Sequence, residues 1–223
     1  MTNFPTDLNT EIISCRKCAR LVAWREEVAQ TKRKAYRDHD YWGKPVPGFG
    51  DPKARVFVVG LAPGAHGSNR TGRQFTGDAS GSFLYPALYR AGFANQPEST
   101  SRNDGLTLTD MYIAAVCRCA PPDNKPLPEE ISNCQPYLER ELELIQPRVI
   151  VALGRIAFES VLRIYSLRSS NMIFGHGISA QLPNGIWLIC SYHPSQQNTQ
   201  TGKLTVAMFD AIWQQAKVLL EFV

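Results

Sequence analysis

Four short runs of almost uninterrupted apolar residues constrain this chain most: Arg55–Gly60, Met111–Val116, Arg148–Leu153 and Ile186–Ser191. Each has strand length and little apolar–polar alternation, which suits strands covered on both faces. Segments of helical spacing lie between and after them. Phe83, Leu84, Ala87 and Leu88 form one stripe, Ala157, Phe158, Val161, Leu162 and Tyr165 a second, and Met208, Phe209, Ile212, Trp213, Ala216, Leu219 and Leu220 a third. All three read as core. Pro86 fits its helix only in the first turn, Pro128 opens the next, and Pro136 should kink or split that one just after Cys134. Strand–helix alternation predicts a three-layer α/β domain with a mainly parallel sheet.

Residues 7–37 read as mostly helical and 38–54 as a Gly- and Pro-rich loop, with no repeat or long linker. At 223 residues, 43% of them hydrophobic, one domain spanning 1–223 with an N-terminal helical extension is the expectation. No run of about 18 apolar residues offers a spanning helix, and Met1–Pro5 lacks a basic-then-apolar leader. The chain therefore reads as cytoplasmic and, without a conspicuous dimer seam, as a monomer. Its net charge of +4 hides an acidic stretch at 106–147 inside a mildly basic remainder. That surplus permits a polyanionic partner without requiring one.

Six cysteines stand at 15, 18, 117, 119, 134 and 190. In a reducing compartment a disulfide framework is disfavoured. Cys15 and Cys18 form a C-x2-C pair, read here as lying in a helical segment. Structural zinc commonly uses two such pairs, so one pair plus the separated Cys119 and Cys134 suits a [4Fe–4S] cluster better. Cys117 and Cys190 close apolar runs and read as core thiols; six buried thiols remain the alternative.

In a parallel sheet the ligand crevice lies beyond the carboxyl ends of the strands. That rule selects the loops at 61–80, 117–127, 154–155 and 192–202. The first is glycine-rich, yet it lacks the Lys-Ser/Thr of a phosphate-binding loop and the G-x-S-x-G of a nucleophile elbow. It carries Phe75 and Asp78, which alone would be a packing ring and a helix cap. The fourth carries His193, and the second Asn124 between prolines.

The strings GLAPGAHGSNRTGRQFTGDASG at 60–81, CAPPDNKP at 119–126 and YHPSQQNTQTGK at 192–203 closely resemble family 5 (type B) uracil-DNA glycosylases. The similarity runs from Cys15 to Lys203. It implies a four-stranded, mainly parallel sheet between helices, a [4Fe–4S] cluster on Cys15, Cys18, Cys119 and Cys134, and removal of deaminated bases from double-stranded DNA, with room for single-stranded DNA as well. The family's base-stacking aromatic falls on Phe75 and its motif histidine on His193. Related families place a polar side chain in the first motif; here Leu61-Ala62-Pro63 offers none, so Asp78 becomes the water-orienting group. A related family has Asn where Ala115 stands, so base selection must lean on backbone and shape, and hypoxanthine or xanthine could fit as well as uracil. Catalysis is thus assigned to Asp78, His193 and Asn124, and the base pocket to Leu61, Ala62, Gly64, Phe75 and Ala115. DNA contacts are assigned to His66, Asn69, Arg70, Arg73, Ser195 and Lys203. The rivals are a non-enzymatic iron–sulfur or zinc nucleic-acid-binding module and a redox carrier.

Overall fold

The structure, a computed structural model, describes residues 6–168, 170 and 172–221; the reading of Met1–Pro5 lies outside them. The four apolar runs become β2 (Val56–Gly60), β3 (Met111–Ala115), β4 (Val149–Leu153) and β6 (Trp187–Ser191). They pair in parallel in the order β3-β2-β4-β6. The sheet nevertheless has six strands: β1 (Phe49–Gly50) and β5 (Ser179–Gln181) add antiparallel edges beside β3 and β6. The expected four-stranded sheet is corrected here. Edge strands two and three residues long are too short and too exposed to write an apolar run into the sequence.

Side chains alternate between two cores with the strand period of two. Val58, Ile113, Val151 and Ile189 face α4 (Ala79–Arg90) and α8 (Val206–Glu221), meeting Leu84, Leu88, Phe209 and Trp213. Val59, Ala114, Ala152 and Leu188 face α5 (Pro128–Ile145) and α6 (Arg155–Ile164), meeting Leu138, Leu142, Phe158 and Val161. This is the three-layer α/β/α arrangement, and no helix among the described residues is long and apolar enough to cross a membrane. Pro86 sits well past the first turn of α4, and α5 runs on through Pro136. In both helices the buried stripe outweighs the lost backbone bond.

The N-terminal segment is two helices, α1 (Thr6–Ser14) and α2 (Ala19–Thr31), so Cys15 and Cys18 lie in the break between them rather than inside a helix. Leu8 and Ile12 pack on Tyr137 of α5. Arg20 binds Glu130 through two contacts at 2.8 and 2.7 Å, and Glu130 also accepts from Leu127 N at 2.7 Å. Those bonds bring the cysteine break against the start of α5.

Beneath the loop after β3, Arg118 (1% exposed) forms an ion pair with Glu141 of α5 (0%), and Tyr112 donates to the same carboxylate at 3.2 Å. Val46 N donates to Arg118 O at 2.7 Å, so a single residue ties the 42–48 segment, the β3 loop and α5 together. Removing one partner of a buried pair leaves an uncompensated charge. We expect Glu141→Gln to lower unfolding stability by about 3–5 kcal/mol, read from urea midpoints. The double change Arg118→Met, Glu141→Leu should recover most of the loss.

Candidate active site and cysteine cavity

Phe75 sits where β2 and β3 end. Its backbone is left-handed (φ 50°), a costly conformation for a residue with a side chain, and its surroundings over-determine it. Tyr85 donates to Gln74 O at 2.7 Å, Ser99 Oγ donates to Phe75 O at 3.2 Å, and any side chain on Gly81 would strike Phe75 O at 1.8 Å. The ring lies over Gly60, where a Cβ would come within 2.7 Å of it. Ala115 is the register partner of Gly60 in β3 and is fully buried. His193 meets Phe75 with centroids 5.9 Å apart and planes tilted by 32°. Burial alone lowers the His193 pKa to about 4, so its imidazole is neutral at neutral pH.

Asp78 caps α4, with Oδ1 accepting from Gly81 N at 3.0 Å. Its other oxygen fills space that glycines leave open: a Cβ on Gly67 would lie 2.0 Å from Oδ2, and one on Gly64 2.9 Å from it. The loop folds on itself to make this nest, with Gly67 N and Asn69 N both donating to Gly64 O. Burial pushes the Asp78 pKa up, while the Gly81 and Ser80 amides and the Arg70 charge pull it down. The cap of α4 and the carboxylate singled out in the sequence are therefore the same residue. Leu61 gives its carbonyl to Cys117 N at 2.9 Å and Ala62 packs on the second core, so neither carries polar side-chain chemistry into the recess.

The other assigned residues divide. Asn124 is exposed on a one-turn 3-10 helix (Pro122–Asn124), and its positive φ of 56° accounts for an asparagine by turn geometry. The structure does not bring it together with Asp78 or His193 through any hydrogen bond between described residues. Three assigned DNA contacts turn inward. Asn69 is fully buried and donates to Arg25 O, Arg73 (4% exposed) pairs with Asp104 through two 2.7 Å bonds, and Arg70 is spent on internal carbonyls. Asn69 and Arg70 lie on the one-turn helix α3 (Ser68–Thr71), and in all three residues side-chain donors are directed to partners within the protein. The half-buried His66 binds Tyr41 OH at 3.0 Å through Nδ1. Ser195 caps α7 (Gln196–Gln200), and Lys203 is exposed with its ammonium 5.0 Å from the Tyr192 ring centre. His176 was not anticipated. Tyr192 N donates to its Nδ1 at 3.2 Å, so the proton sits on Nε2, 3.1 Å from Met208 O, clamping the loop that carries His193. A lone histidine among glycines gave no periodic signal for this.

Cys15, Cys18, Cys119 and Cys134 line one cavity with Lys17, Val22, Asn133 and Tyr137, whereas Cys117 and Cys190 sit in the core. Donors are aimed at the sulfurs: Arg25 reaches Cys119 Sγ at 2.9 Å and Asn133 reaches Cys18 Sγ at 3.5 Å. A hydrogen bond with Cys117 holds the Cys134 pKa low, while burial pushes Cys119 up to about 12. Among the described residues no three His, Cys, Asp or Glu stand ready to hold a single metal ion. Four thiols lining one cavity, two of them with N–H donors on their sulfurs, are the donor set that a multinuclear iron–sulfur group takes.

A type-5 uracil-DNA glycosylase of Thermus thermophilus is 56% identical over 209 residues, covering 93% of this chain and 94% of that protein. One from Mycobacterium leprae is 52% identical over 216 residues, 96% and 94% of the two chains. A type-4 uracil-DNA glycosylase of Archaeoglobus fulgidus is 33% identical over 193 residues, 85% and 80%. Residues 47–217, from the segment before β1 into α8, match the family model of the uracil DNA glycosylase superfamily, and the chain belongs to that superfamily.

Proposed function

We propose that this chain flips uracil out of DNA and removes it by hydrolysis, leaving an abasic site. The observation that carries the reading is a half-buried carboxylate, Asp78, in a glycine nest on the same loop as Phe75, with a neutral histidine on that ring. A base within a duplex is out of reach, so extrusion costs a few kcal/mol, and stacking on an aromatic ring returns about 1–3 kcal/mol. As the glycosidic bond lengthens, the sugar gains positive and the base negative charge. Asp78 orients the attacking water and faces the cationic sugar, while the His193 N–H donates to the departing base. A recess walled by Ala115 and backbone reads shape more than an amide pattern, so we extend the substrate class to hypoxanthine and xanthine. Lys203, Ser195 and His66 keep their assignment as DNA contacts. We assign the protein to the cytosol or nucleoid of a prokaryote and treat it as a monomer.

Cys15, Cys18, Cys119 and Cys134 would hold a [4Fe–4S] cluster. When bound, that group supplies a cross-link rather than redox chemistry. The chain's own contribution is to bring the break between α1 and α2 against the β3 loop and α5.

Three outcomes follow. Asp78→Asn should fold normally yet lower the single-turnover excision rate on a duplex with one uracil by more than about tenfold; an unchanged rate rejects its role. The unfolded chain protonates His193 near pH 6.5, whereas the folded chain resists until about 4. Its contribution to stability is therefore complete above about pH 6.5 and falls as pH drops toward 4, a slope that His193→Gln should flatten in urea titrations across that window. Cys119→Ala should abolish the visible iron–sulfur absorbance and lower Tm; retained absorbance would remove Cys119 from the ligand set.

A further inference from the structure

Arg70 is a cation buried (6% exposed) beside the catalytic loop. Its neighbour Arg73 meets Asp104 and the deeper Arg118 meets Glu141, but Arg70 gives its donors to carbonyls. Nε donates to His66 O at 2.8 Å and Nη2 to Gly77 O at 2.9 Å, while Nη1 lies 3.1 Å from His39 Nδ1. The Tyr36 ring covers the guanidinium at 4.0 Å. Gly77, on left-handed backbone (φ 79°), is the residue before Asp78, and a Cβ there would come within 2.4 Å of Arg70 Nη2. A buried charge costs heavily unless something is gained by it, and dipoles of carbonyls alone repay only part of that.

We propose that Arg70 is the positioning residue of Asp78: it grips the carbonyl immediately before the carboxylate, and its charge favours the ionised form of that group. This rests on the reading of Asp78 under Proposed function. The electrostatics agree in sign, since the Arg70 charge opposes the effect of burial on the carboxyl. Other groups face the pair. Tyr85 of α4 feels Asp78, and burial holds its hydroxyl protonated; His39 and His66 both lie against Arg70.

The test is the pH profile of single-turnover uracil excision by the full chain. Arg70→Gln keeps an amide for Gly77 O but loses the charge; Arg70→Lys keeps the charge but loses the fork. If the inference holds, Arg70→Gln moves the acidic limb upward by about one pH unit, so its rate falls by about tenfold below the limb and recovers at alkaline pH. Arg70→Lys leaves the limb in place and lowers the plateau. His39→Gln removes the ring that faces Arg70 Nη1 and should leave the limb unmoved. Equal plateau losses in Arg70→Gln and Arg70→Lys with the parent limb would make Arg70 merely structural and overturn the proposal. A limb shift reproduced by His39→Gln would overturn it too. An inert Asp78→Asn would instead sink the underlying reading, which keeps the two failures distinct.

Discussion

A carboxylate can stay charged away from water only if the protein replaces the lost hydration with fixed dipoles and charge. Asp78 meets that requirement in part. The start of α4 presents amides, two glycines make room, and the charge of an inward-facing arginine opposes some of the effect of burial. Those elements are held at the sheet's carboxyl end by β2 and by the strained Phe75, which the packing of Gly81 and Ser99 fixes in turn. The chemistry is thus built from backbone and glycine more than from functional side chains.

The two halves of the recess are secured differently. Asp78 and Phe75 share one loop, so local turns set their relation. His193 comes from another loop, where His176 ties the Tyr192 amide to α8 and Asn198 donates to His193 O at 2.8 Å. Its placement rests on neutral hydrogen bonds, consistent with a ring that burial keeps uncharged. The cysteine cavity lies beyond the β3 loop and borrows its rigidity from Arg118 and Glu141.

The sequence was most legible where a single period decides structure. The four central strands follow from apolar spacing to within about one residue of the observed ends, and the stripes of α6 and α8 to within about two. The edge strands escaped notice because pairing on one side leaves little trace in composition. Prolines 86 and 136 misled for the opposite reason: a local rule was overridden by tertiary burial. Site chemistry divided along similar lines. Asp78, Phe75, His193 and the four cavity cysteines come from motif strings, whereas Arg70 and Arg73 looked like surface cations. Asp104 lies thirty-one positions from Arg73, and no window of sequence reveals a pair so far apart. Asn124 looked chemical because asparagine between prolines serves a turn and a site equally well.

Gly64 and Gly67 carry a consequence for how such a loop can change. Neither can acquire even a methyl group while the acid stays put, and the acid cannot withdraw without vacating its amide donors on the helix behind. The three positions are interlocked, so stepwise drift at any one of them meets a steric dead end. Room for change is then left to positions outside the interlock, such as Ala115, the small buried register partner of Gly60.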